Sequence, residues 1–410
     1  MTKTRFICVL AGMWWVFLSV GILIPLLPLY VNRTLVADSS VVGVTVLIYA
    51  VAGVLARPLA AAYLRRHEPW TFMLAMALAG AFALAATPIV HEVGWMYWLR
   101  FVGGFTVGAF YTAAATGLVR DTPPQRLGSA LSYFSVPLFL GVAIGPVVGD
   151  WLTSAVGHDW SWVASGLCML MAVPFCLVGG RQPRRATPVG DVVVSGTPFG
   201  TPFGTHVPAM TRSEIWRTVA HPAAGVPAVV LALIVAGWAS FQAYVPLYGP
   251  ALGLPATGTV FLTYSAVVIV IRVGGARLFD RLPLVEIVLW GAVANVIGLV
   301  TVWLWADVAA LYVAAVLMAV AIGLSYTTLL RIALARVPAH EEGAVVGAYS
   351  VSYDIGAGLG AAGMGVLVTW TASYSTAFLG GAASGAVSIL LILQHLWPKR
   401  ATYRVQRAEV

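Results

Sequence analysis

Asp354 is the one acid set deep within a long apolar run of this chain. It follows Gly343 by 11 residues, roughly 16 Å along a helix that rises ~1.5 Å per residue. That is near the middle of a hydrocarbon layer of roughly 30 Å. Removal from water disfavours a charged carboxylate, so an acid at that depth can take up and release a proton. The competing role is a protonated Asp bonded to a neighbouring helix, or to Tyr353 or Ser350. Ionisable groups inside a membrane are functional by default, and the proton role is preferred. Arg100 is a basic group a short way into another apolar run. It costs about 2.5–3.5 kcal/mol at mid-bilayer and less near an interface. Trp95 and Trp98 set it near one boundary, where a snorkelling anchor is the alternative. Gln242 adds an amide that needs a partner in lipid.

Enzyme chemistry lacks its parts. A lipid-modifying enzyme needs a nucleophile–base pair or a metal cluster near one interface. His67-Glu68 and His91-Glu92 are adjacent pairs with no convergent partner. No His/Asp/Glu cluster falls on the apolar runs, so no metal site is expected.

The elements that carry these residues follow from composition. Of 410 residues, 60% are apolar and 9% charged, against about 25% charged in soluble proteins, and the mean hydropathy is +0.90. The solvent of such a chain is lipid. A crossing helix needs about 20 apolar residues. Such runs lie near 6–30, 41–63, 70–90, 95–119, 127–151 and 159–179, then 223–249, 256–279, 284–306, 309–333, 343–369 and 374–396. The fold class is therefore an all-α membrane protein of twelve transmembrane helices. The ~10-residue alternation of a membrane β-barrel is absent. The first run follows Lys3 and Arg5 but is too long for a signal peptide and is read as a retained helix. Cys8, Cys168 and Cys176 fall inside apolar runs and imply packing, with no disulfide framework.

The net charge of +8 encodes topology and calls for no nucleic acid. With both termini in the cytosol, the 23 basic residues fall on cytosolic loops, the linker or the tail, except Arg33 and Arg100. That is the positive-inside pattern; Arg57 is counted there with Arg65 and Arg66 around the second loop. The expected division is an N-terminal bundle at 1–180, a cytosolic linker at 181–221, a C-terminal bundle at 222–397 and a cytosolic tail at 398–410.

The bundles repeat. At an offset of 215, Tyr49 matches Tyr264, Arg57 matches Arg272 and Arg66 matches Arg281. Tyr111-Thr112 matches Tyr326-Thr327, Pro123 matches Pro338, and Gly141 and Gly145 match Gly356 and Gly360. Asp354 has Phe139 as its mate, so the acid was placed in one half only. Duplicated bundles suit secondary transporters, in which one bundle rocks against the other about a central site.

Two motifs carry a resemblance. Gly141-Val-Ala-Ile-Gly145-Pro146-Val-Val-Gly149-Asp150 puts glycines on one helix face, which allows close helix contact, and Pro146 favours a kink. A leucine at Gly145 is expected to overpack this face, where an alanine would do much less. Arg100-Phe-Val-Gly103-Gly104-Phe-Thr-Val-Gly108 places an Arg ahead of spaced glycines. The chain resembles the major facilitator superfamily over essentially its whole length. The first motif is similar to the family's G-x-x-x-G-P-x-x-G-G, associated with its antiporters, with Asp150 in place of the last Gly. The second is similar to R-x-x-x-G-x-x-x-G, whose Arg the family links to proton transfer. The family's G-x-x-x-D-R-x-G-R-R, a cytosolic latch between helices, is eroded at Ala61–Trp70 but keeps Asp280-Arg281 in the mirrored loop.

The resemblance implies a multi-pass transporter of the cell membrane, with no enzyme activity. It implies a monomer without cofactor, driven by a proton gradient, with Arg100 in the family's proton-transfer position; Asp354 belongs to no family motif and is the expected proton-coupling acid by its depth alone. Helices 1, 4, 7 and 10 line the cavity in this family. That nominates Trp14, Trp15, Tyr111, Trp238, Gln242, Tyr244 and Tyr326 as substrate-facing. Such a cavity suits amphipathic small molecules, cations among them, through apolar contact and cation–π attraction. The expected function is efflux by proton antiport. A proton-coupled importer of the same fold is the rival, and a lipid-modifying enzyme the remote one.

Overall fold

The computed structural model describes residues 2–89, 91–181, 222–274, 283–335, 337–338 and 341–403. Nearly all of the linker, Asp280-Arg281 and the end of the tail lie outside them. All regular structure among the described residues is helical. The first half holds α1 (Lys3–Leu29), α2 (Ser39–Leu64), α3 (Pro69–Ala86), α4 (Val93–Asp121), α5 (Pro124–Leu170) and α6 (Ala172–Arg181). The second holds α7 (Gly225–Ala251), α8 (Gly258–Gly274), α9 (Leu284–Leu304), α10 (Val308–Leu334), α11 (Glu342–Thr371) and α12 (Ser375–Leu391).

Helix ends follow local chemistry. The Thr2 hydroxyl accepts from Arg5 N at 3.3 Å to open α1, and Asp307 accepts from Ala309 N at 2.8 Å to open α10. Pro25 and Pro28 remove two backbone donors late in α1, which gives way to a π-helical turn at Tyr30–Thr34. Large apolar side chains such as Phe82, Val270, Trp290 and Leu304 point outward, as in a chain whose solvent is lipid. Ten helical segments among the described residues are long and apolar enough to cross a membrane, and Gly258–Ile271 is a shorter apolar helix.

One of those ten, Tyr133–Arg181, covers 49 residues. The loop expected at 152–158 is instead a reversal centred on Gly157, at φ 82° and ψ 175°, a conformation a glycine adopts without steric cost. Before it, α5 runs parallel to α1: Gly141 lies on Phe17 and Leu18, Gly145 on Gly21, and Gly149 on Ile22. After it, the chain runs antiparallel to α1: Trp162 meets Tyr30, Ser165 bonds Ser19 and Gly179 meets Arg5.

The glycine face recurs. Gly356 and Gly360 of α11 lie on Ala232 and Ala236 of α7. The offset of 215 carries Phe17 and Gly21 onto those alanines, so the sequence repeat is one helix contact built twice. Between the halves, Gly43 of α2 lies on Ala361 and Ala362 of α11. Nearby, Ser40 N donates to Thr369 Oγ1 at 3.1 Å and Tyr244 Oη donates to Ser39 O at 3.1 Å. These contacts close the end of the bundle remote from the chain termini.

Candidate functional site

A cavity of about 170 Å³ lies between the halves, many times the ~10–15 Å³ that one water needs. Its wall is built from α1 (Phe17 to Pro28), α2 (Val46 to Arg57), α4 (Arg100 to Gly108), α5 (Val142), α7 (Trp238 to Ala243) and α11 (Tyr353 to Ala357). Most of that wall is apolar. Its charged groups among the described residues are Arg57, Arg100 and Asp354.

Asp354 projects from α11 and meets Arg57 of α2, Oδ2 to Nη1 at 2.5 Å. Their side chains are 14% and 7% exposed, so the pair joins the two halves with little water around it. Arg57 keeps a buried Nε that makes no hydrogen bond. Sequence reasoning counted Arg57 as a loop residue that sets orientation; the structure places it inside α2, buried and paired. The signal was available. Arg57 sits within the apolar run at 41–63, and a buried acid on another helix needs a basic partner.

Arg100 is buried on α4, its guanidinium 4.5 Å from the centre of the Tyr49 ring. Its Nε also makes no hydrogen bond. The glycines that follow explain how this stack forms. A Cβ at Gly104 would run into the Tyr49 carbonyl, and one at Gly108 would lie 2.9 Å from Gly53 O. Bare positions on α4 thus let α2 approach until Tyr49 slides under Arg100. In the sequence Tyr49 stands out only as the mate of Tyr264 in the repeat.

Trp238 and Gln242 lie on the cavity wall. Trp238 stacks on Tyr264, with centroids 3.9 Å apart and planes at 16°. The Gln242 amide makes no hydrogen bond to any described residue and faces the cavity. The other residues expected there are elsewhere. Tyr111 is buried against Phe17 and Phe134. Tyr326 packs on Tyr349 and Tyr353. Tyr244 spends its hydroxyl on the seam between the halves, and Trp14 and Trp15 are half-buried against the core. Gly141, Gly145 and Gly149 form the α1–α5 contact, and Pro146 lies inside the same helix. Arg5, another residue read as an orientation signal, is buried and paired with Asp121 at 2.7 Å.

Comparison with known proteins agrees with this architecture. A sequence profile described as Major Facilitator Superfamily matches residues 9–361. Multidrug resistance protein 2 of Bacillus subtilis (strain 168) is 25% identical over 172 residues, 42% of this chain and 42% of that protein. The multi-drug resistance efflux pump PmrA of Streptococcus pneumoniae is 22% identical over 157 residues, 38% of this chain and 39% of the pump. The chain therefore aligns with less than half the length of these relatives. Among solved structures, the nucleoside transporter NupG matches with a TM-score of 0.74 at 10% identity, covering 96% of this chain and 98% of that one. The POT family transporter PepTSo matches with a TM-score of 0.72 at 12% identity, covering 99% of each.

Proposed function

The chain belongs to the Major Facilitator Superfamily, a transporter and not an enzyme, and from that premise we propose a proton-coupled exporter of small organic molecules that works by alternating access. The observation that carries this reading is the Arg57–Asp354 pair, which ties one half to the other in the wall of the cavity. Protonation of Asp354 removes its charge and releases Arg57, so proton occupancy acts on the joint between the halves. Removing one partner of a buried ion pair costs about 3–5 kcal/mol. Inward proton flow supplies about 2.3 kcal/mol per charge per 100 mV, a force of the same order. Asp354 is the coupling acid, and Arg100 on Tyr49 holds the second positive charge in the same wall.

Substrates are amphipathic. Phe17, Leu23 and Trp238 offer apolar surface and Gln242 offers an amide on the cavity wall. Efflux by antiport is favoured over import because the relatives include a multidrug resistance protein and a multi-drug resistance efflux pump. The reading includes twelve crossings in a cell membrane with both termini cytosolic. The reversal at Gly157, the short helix at Gly258–Ile271 and the basic loops support that topology.

The test is proton release. Purified protein in proteoliposomes receives a panel of amphipathic compounds, with internal and external pH followed by dyes. Efflux-type exchange gives proton movement opposite to substrate and is lost in Asp354→Asn. Substrate and proton moving together would identify an importer. Substrate flux that ignores the pH gradient would remove proton coupling.

A further inference from the structure

Asp150 stands where the family's helix pattern ends in a glycine, and its carboxylate does something a glycine cannot. It ends a turn of α5 in the first half, yet Oδ2 accepts the backbone N–H of Gly258, the first residue of α8 in the second half. The first turn of a helix has backbone donors without intrahelical acceptors, and a carboxylate there meets both those donors and the positive end of the helix dipole. A cap is normally supplied from within the same chain segment; this one comes from the opposite half.

The surroundings make the contact specific. Gly258 lies directly on α5, where an added Cβ would be 2.6 Å from Pro146 O and 2.7 Å from Pro146 C. Thr257 is 2% exposed, so the capped turn is shielded. Among the described residues, the other cross-half hydrogen bonds at this end, Ser40 to Thr369 and Tyr244 to Ser39, join neutral groups. We propose that Asp150 is a latch between the halves: it caps α8 while the end remote from the termini is closed and must release it for that end to open. Opening strips the first turn of α8 of this cap, so Asp150 biases the resting protein toward the closed form. The latch uses neither Arg57 nor Asp354 and goes beyond the proton reading.

The experiment measures opening through the Ser39→Cys thiol, whose parent side chain is 8% exposed in the seam. Cys8 and Cys168 are replaced by Ser, and the native Cys176, 2% exposed in the first half, is kept as an internal control. Purified protein in nanodiscs, without substrate, is treated with a water-soluble maleimide. Asp150→Ala and Asp150→Gly should speed seam labelling by roughly 2- to 30-fold, the range that loss of a helix cap spans, with Cys176 unchanged. Asp150→Asn, whose amide oxygen still caps, should label like the parent. The same pattern is expected in an Asp354→Asn background, so failure of proton coupling leaves the latch standing. Unchanged labelling in the Gly and Ala variants would overturn the proposal, as would an Asn variant that labels like Ala. If Asp150→Ala does not fold, Asp150→Gly carries the measurement, since the family pattern has glycine there.

Discussion

Arg57 Nη1 and Asp354 Oδ2 lie 2.5 Å apart across the joint between α2 and α11. The contact spans 297 residues of sequence and connects the two repeated bundles in the wall of the cavity. Neutralising either partner therefore acts on the joint itself.

Asp354→Asn mimics the protonated acid, so it should abolish proton-driven transport and retain substrate binding and passive exchange. Asp354→Glu should keep some coupling with an altered pH optimum. Proton release on substrate addition decides the matter. An Asn variant that releases protons and pumps like the parent would move coupling to another group.

Arg57→Ala leaves a buried carboxylate without its partner and should lower stability by about 3–5 kcal/mol. Arg57→Met combined with Asp354→Leu should recover most of that loss while transport stays abolished, because apolar replacement of a buried pair is often neutral. Thermal unfolding in detergent gives the cycle. Full additivity of the single variants would mean that the pair contributes no coupling energy.

Arg100→Ala should impair transport at normal membrane insertion. Arg100→Lys should rescue poorly, since the stack on Tyr49 uses the planar guanidinium. Tyr49→Leu should resemble Arg100→Ala, whereas Tyr49→Phe keeps the ring face and should transport well. Normal flux in Arg100→Ala at equal expression would reduce Arg100 to an interfacial anchor.

Gly145 tolerates less than its sequence suggests. A Cβ there would lie 2.5 Å from Gly21 Cα and 2.6 Å from Gly21 C, both backbone atoms of α1 that cannot swing aside. Gly145→Ala should therefore already cost about 1–3 kcal/mol by overpacking, and Gly145→Leu should block folding or transport outright. Gly360→Ala should show a similar loss, since its Cβ would lie 2.5 Å from Ala236 Cα. A tolerant Gly145→Leu would detach α5 from α1.

Gln242→Leu should change which substrates are moved while leaving stability within about 0.5 kcal/mol, because the amide has no described partner to lose. Unchanged selectivity across a compound panel would remove Gln242 from the substrate contacts.

The solvent, the helical class, the repeat and the two glycine-spaced helices were all legible in the order of the amino acids. Each of these is written in local composition or in a fixed offset, and lipid leaves a chain few alternatives to helices. The sequence also marked Asp354 and Arg100 as charges inside apolar runs, and both line the cavity. Partners were decided only by the tertiary structure. In helices apolar on every side, periodicity names no inner face, so packing alone sent Trp238 and Gln242 to the cavity and kept Tyr111 and Tyr326 in the core. The identity of Arg57 was visible, but its role required knowing that α2 lies against α11, a contact between segments nearly 300 residues apart. Asp150 likewise looked like a blemish in a motif until α8 was seen to begin beside it.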